Sequence, residues 1–392
     1  MLDSWRWSVL TLLLMGALVW GAHGQIISLP HSAAPEDAFG VDVAFDGERA
    51  VVGASGEDEC GANSGAAYVF EQDGAPERWT ETARLTPSTC EEGAFFGRTM
   101  DLDGDRIVVG ASSEFFGHRR PNAAYVFEYE DDEWRETARL EPDAAREEGA
   151  FASSVSIDGD RILVTTSGSM QGTVGGAAYF YEYEDGDWRK AARLAASEGT
   201  RYGVLGGLGD LDGDIAAVSA PTYFDQDPGS VYIFERDADG TWSEANRIDG
   251  FDDFYIDVEL DGRRLAVGQS RAGSDDSGAV TLHERDAEGN WFRTATIRPS
   301  TPYQNGAFGG AISIGDERVL ATGYDEQLGL DYNIDRVTYS FRNSPEEGWS
   351  ERQVVDIGEV DFGTAIDHHG DLALISSVPD DEGGRAYVVG LF

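Results

Sequence analysis

One unit recurs along this chain, and its recurrence limits the fold more than any other feature. It is plainest over residues 96–140, which hold four short β-type runs. The first run alternates, with Phe96, Met100 and Leu102 on one face. Asp103-Gly104 follows, a dipeptide suited to a two-residue type I′ turn because glycine accepts positive φ freely. Residues 106–110 hold a continuous apolar run after Arg106, residues 124–128 alternate again, and an acidic turn leads into residues 134–140. This pattern predicts a four-stranded antiparallel meander. Aromatic starts recur at Phe39, Phe96, Phe151, Phe254, Phe308 and Phe362, each followed by a tight turn. A seventh copy turns at Asp212-Gly213, and its counted start falls on Leu205, with Tyr202-Gly203 three residues early. The third strands read AAYVF, AAYVF, AAYFY, SVYIF, AVTLH, RVTYS and RAYVV. A strand-built period of about fifty to sixty residues predicts an all-β, seven-bladed propeller with blades starting near 39, 96, 151, 202, 254, 308 and 362.

The two ends of the array explain each other. The last copy stops after its third strand, at residues 387–392. Residues 25–38 are therefore expected to supply the missing strand, pairing with the last blade and removing both open edges. Residues 1–24 read as a secretory signal, with Arg6 in the charged region, an apolar stretch at 9–20 and Ala22-His23-Gly24 before a cut at Gln25. Retention as an anchor is the alternative, and the expected mature chain, residues 25–392, has no membrane insertion and is taken as a monomer. No cysteine follows the apolar stretch to carry a lipid.

Charge removes several partner classes. The formal net charge is −44, which argues against nucleic acid and against an anionic membrane surface. Lys190 is the only lysine. An acidic, lysine-poor chain fits a salty medium, where screening weakens self-repulsion, and a GC-rich coding bias is the alternative source of the pattern.

Trp79, Trp134, Trp188, Trp242, Trp291 and Trp349 occupy one repeat position, the start of the fourth strand, and read as packing between blades. In a meander, turns after strands one and three share a face, and these are short. Loops after strands two and four share the other face. They are long and irregular, so binding capacity belongs there.

Phe96-Gly97 with Val109-Gly110-Ala111-Ser112, Tyr202-Gly203 with Val218-Ser219-Ala220-Pro221, and the closing Ala-Tyr-Val-Phe resemble FG-GAP repeats. Such repeats build the seven-bladed propeller of integrin α subunits and occur in secreted bacterial proteins. The resemblance implies the fold and leaves function open. It also raises calcium, which integrin-like first hairpins hold in D-x-D-x-D-G-x-x-D loops. Here only Asp210, Asp212 and Asp214 approach that pattern, and Ala217 and Val218 stand where a later acid is due. No cofactor is required.

Cys60 and Cys90 fall in two loops of one face of the first blade, and in an exported chain they are expected to form a disulfide. The cationic and aromatic cluster Phe116, His118, Arg119 and Arg120 lies on the same face. So do Tyr223, Phe224 and Tyr324 in equivalent loops, and Tyr303 in a fourth-strand loop. Exposed aromatics with arginine are the usual composition of a binding hot spot. The acidic runs Glu57-Asp58-Glu59, Asp225-Gln226-Asp227, Asp275-Asp276 and Asp380-Asp381-Glu382 read as solvated surface, with weak cation chelation as the alternative. His283 takes a packed third-strand position, and His368-His369 falls at a hairpin. No hydrolase or phosphate-loop motif is present.

The expected function is an exported, non-catalytic recognition or adhesion module binding an extracellular protein or glycan through the long-loop face. The alternative is a secreted carbohydrate-active or other hydrolytic enzyme with acids at the axial channel. Carboxylates converging at the axis favour the enzyme; an axis of Gly, Ala and Val favours binding.

Overall fold

The computed structural model describes residues 25–392 except 76, 114–121, 143–149, 169–175, 197–204, 222–227, 252, 254, 316, 326–334, 358–360 and 379–382. Its strands form seven four-stranded antiparallel sheets, the blades of a propeller. The inner strands of blades 1 to 7 are Phe39–Phe45, Phe96–Asp103, Ala150–Asp158, Gly209–Asp212, Ile256–Asp261, Ile312–Gly315 and Phe362–His369. The fourth is cut to four residues, as its irregular sequence suggested, yet Leu205 still fills the buried place of the missing aromatic. The latch strand Ile26–Ser28 completes blade 7 beside Arg385–Gly390, with Ile26 opposite Val389, Ile27 opposite Val388 and Ser28 opposite Tyr387.

No blade covers its own faces. Seven buried apolar clusters form among the described residues, one at each junction of adjacent blades. At the first junction, Val51 and Val69 of blade 1 meet Met100, Ile107 and Val109 of blade 2. The Phe of the recurring Phe-Gly pair stands edge-on to the Tyr and Phe of its own third strand. Phe96 lies 5.5 Å from Tyr125 and 5.9 Å from Phe127, which explains why those aromatics recur together. The glycine after it serves the junction: Gly97 has φ +84, and a Cβ there would stand 2.3 Å from the Ala66 carbonyl of blade 1.

Arginines pin one blade to the next on the hairpin face. Arg49 donates to the Gly104 carbonyl at 2.7 Å and to Asp105 at 2.8 Å, lying over the rings of Tyr129 and Trp134. Arg106 repeats this on Gly159, Asp160, Tyr183 and Trp188. Trp134 and Trp188 thus pack at blade junctions, and buried Trp242 stacks 4.1 Å from Phe180 of blade 3.

The Asp103-Gly104 hairpin differs from the type I′ expectation. Asp103 pairs across with Arg106, so Gly104-Asp105 form the two-residue turn, with positive φ at Gly104 (55°) and not at Asp105. That is the II′ arrangement, which asks for glycine at the first central position alone. The shift frees the Asp103 carboxylate to accept the Gly159 N–H of the next turn at 2.6 Å. Asp158 does the same for Gly213 and Asp212 for Gly262.

Candidate functional site

Alternation along the inner strands builds an axial shaft. In blade 5, Ile256, Val258 and Leu260 pack toward blade 4, which turns Asp257 and Glu259 to the shaft and blade 6. Asp42, Asp101, Asp210 and Asp367 arise the same way on other blades. The result is a cavity of about 430 Å³ at the axis. Ends of second strands and their loops, at Ser112, Ser167 and Pro221, also line it, so it belongs to the long-loop half of the shaft. Arg98 and Tyr255, near the beginnings of inner strands, stand at that end, and Tyr255 is 50% exposed.

Five of the six shaft carboxyls share one role. Asp42 accepts the N–H of Met100 at 2.8 Å, Asp101 that of Ile157 at 2.7 Å and Asp210 that of Leu260 at 2.7 Å. Asp257 accepts that of Ile312 at 2.9 Å and Asp367 that of Phe45 at 2.7 Å. Asp42, Asp101, Asp257 and Asp367 thereby join their blade to the next; Asp210 joins blade 4 to blade 5 and also accepts from Ser156 of blade 3 at 2.8 Å. Blade 3 carries serines instead, and Ser156 accepts the N–H of Leu211 at 3.2 Å. Glu259 breaks the series: among the described residues nothing donates a hydrogen bond to its carboxyl, and it forms no ion pair.

Water reaches these carboxyls only along the shaft, with protein on every side, so they are poorly hydrated for groups that are only half-buried. Desolvation, opposed by the donated N–H and reinforced by neighbouring acids, pushes Asp42 and Asp367 up to about 7 and Asp210 up to about 6. Asp101, Asp257 and Glu259 rise for the same first reason. Glu259 has no hydrogen bond to hold it down, and the charges of Asp210, Asp257, Asp367 and Asp101 lift it further. The Tyr255 hydroxyl is raised by desolvation and then by Asp257 and Asp42, with Arg336 and Arg98 opposing.

Two of the expected binding residues, Tyr303 and Tyr324, are linked through the backbone of Gly306. The Tyr303 carbonyl accepts the Gly306 N–H at 2.9 Å, and the Gly306 carbonyl accepts the Tyr324 N–H at 2.7 Å. Arg336 lies 5.2 Å from the Tyr324 ring centre and donates to its hydroxyl at 3.3 Å. Phe116, His118, Arg119, Arg120, Tyr223 and Phe224 lie outside the described residues. Cys60 and Cys90 form a disulfide with Cα atoms 5.2 Å apart, joining two long-face loops of blade 1.

The acids proposed for calcium point apart. Asp210 faces the shaft, Asp212 accepts the Gly262 N–H, and Asp214 pairs with Arg161. Among the described residues no three His, Cys, Asp or Glu side chains gather as metal ligands. Glu57 and Glu59 both pair with Arg84. His283 is buried and held neutral by desolvation, its pKa pushed down to about 4. His368 Nδ1 lies 2.7 Å from Ser313 Oγ across a blade junction.

The FG-GAP repeat family model matches residues 29–70, 79–127 and 134–181, each match closing on a third strand. No curated protein matches the sequence. Among solved structures the fold is similar to the periplasmic gluconolactonase of Pseudomonas aeruginosa, at 16% identity and TM-score 0.52, over 88% of this chain and 95% of that one. It is also similar to a proposed 6-phosphogluconolactonase of Bacteroides uniformis, at 14% identity and TM-score 0.54, over 86% and 93%. At these identities the likeness shows the fold alone.

Proposed function

We infer that this chain, an FG-GAP repeat propeller of seven blades, is an exported recognition module that takes a protein or glycan ligand on its long-loop face. One observation carries the reading: Arg336 lies over the Tyr324 ring, the Tyr324 backbone is tied through Gly306 to that of Tyr303, and Arg98 and Tyr255 stand at the same end. Tyrosine and arginine in one patch are the side chains that dominate binding energy at interfaces. The disulfide braces loops of that same face, and a disulfide fits an exported protein.

Carboxylates do converge at the axis, as the hydrolytic alternative requires. Most of them are engaged in joining blades, so their convergence has a structural cause. The alternative rests on Glu259, an acid whose pKa is raised by desolvation and by neighbouring acids, which is the direction in which a general acid is tuned.

A glycan and protein array probed with residues 25–392, with and without calcium and at low and high salt, tests the recognition reading. Binding lost in Tyr324→Ala with Arg336→Ala, or in Phe116→Ala with Arg119→Ala, supports it. Full retention in both double variants removes it. Turnover of lactones or aryl glycosides that disappears in Glu259→Gln establishes the hydrolytic reading instead.

A further inference from the structure

We propose that the axial cavity is a binding pocket for a neutral, polyhydroxylated small molecule of monosaccharide size. The cavity opens at the long-loop end but lies inside the shaft, away from Tyr303 and Tyr324, and its occupancy requires no turnover. The cavity, about 430 Å³, falls within the roughly 300–1,000 Å³ of small-molecule sites. Its lining alternates functions around one space: Arg98 donates, the Asp42 and Asp257 carboxyls offer accepting oxygens, and the Tyr255 hydroxyl does both. A guest complementary to such a wall must donate and accept at many points, which hydroxyl groups do and an apolar molecule does not.

Two observations narrow the guest. The acidic wall repels anions, which rejects phosphorylated or carboxylated molecules. A divalent cation is disfavoured by geometry, because the five aspartates are aimed at backbone N–H groups and no three acids gather as ligands among the described residues. Of the six acids, Glu259 alone accepts no hydrogen bond from the described residues, although it lines the cavity. Its carboxyl is thus available to a guest without loosening a junction. Tyr255 presents a half-exposed ring at the mouth, where the C–H face of a sugar stacks.

The test is calorimetric titration of residues 25–392 with glucose, galactose, mannose, xylose and inositol, and separately with calcium chloride and putrescine. At least one of the five neutral probes is expected to bind, about 10-fold more weakly in Glu259→Gln and in Tyr255→Ala. Both variants should melt like the parent chain when no probe is present. Absence of heat with all five neutral probes overturns the proposal, as does a sugar affinity unchanged in both variants. Saturable binding of calcium or putrescine alone overturns it in favour of a cation site. Should one variant fold poorly, the other decides by the same criterion.

Discussion

Asp367 in the last blade accepts the backbone N–H of Phe45 in the first, at 2.7 Å and across 322 positions of sequence. This bond closes the ring from inside, as the pairing of Ile27 with Val388 closes it from outside. Removing residues 25–28 strips the Arg385–Gly390 strand of its partner and leaves an open edge. Thermal unfolding of a chain starting at Leu29 is expected to begin at least about 5 °C lower than that of residues 25–392, with concentration-dependent aggregation. Identical melting of the two chains would show that the latch is dispensable.

The shaft makes stability depend on pH in an unusual direction. Asp42, Asp210 and Asp367 titrate at about 7, 6 and 7, above the 3.8 of an unfolded aspartate. A raised carboxyl favours the folded state while protonated, so that contribution is complete below about pH 4 and is lost as pH climbs through 6 to 7. Glu182 works oppositely: Arg236 holds it below its usual range, and its contribution is lost on acidification. The melting temperature should therefore be higher at pH 5.5 than at pH 8.5. Molar sodium chloride should narrow the gap by screening the ionised shaft. Scanning calorimetry at the two pH values checks this, and greater stability at pH 8.5 contradicts it.

Gly97→Ala probes the close approach of blades. The new methyl meets the Ala66 carbonyl at 2.3 Å from a backbone at φ +84, so backbone must shift and the alanine is strained as well. A loss of about 2 kcal/mol or more in denaturant unfolding is expected. Gly104→Ala has nothing within 4 Å and adds only the cost of positive φ. Equal losses in the two variants would mean the blades are not in contact at Gly97.

The fold was readable because its determinants are local and repeated. Phe96, Tyr125 and Phe127 recur as a set since they touch one another. The missing last strand was readable because an unpaired edge needs a partner. Turn geometry was misjudged by one residue, since Asp103-Gly104 looks the same whether its aspartate enters the turn or caps the neighbouring one. The axial acids stayed hidden among 73 acidic residues. Their signal was positional: an acid three residues after the counted start in Asp42 and Asp257, or five after it in Asp101, Asp210, Glu259 and Asp367. Sequence shows that spacing but not which acid lacks a partner, because the partner belongs to another blade. Arg336 was missed although its partner Tyr324 stands directly across from it in the same blade, because nothing in the sequence marks that cross-strand pair.

That division of labour among the shaft acids is the core of the account, and thermal unfolding of Asp101→Ala, Asp101→Asn and Glu259→Ala at pH 8 addresses it directly. Asp101→Ala leaves the Ile157 N–H buried without an acceptor and should cost about 1–3 kcal/mol. Asp101→Asn keeps an acceptor and removes a charge, and should recover most of that loss. Glu259→Ala should match or exceed the stability of the parent chain. A Glu259→Ala loss as large as that of Asp101→Ala would contradict the account.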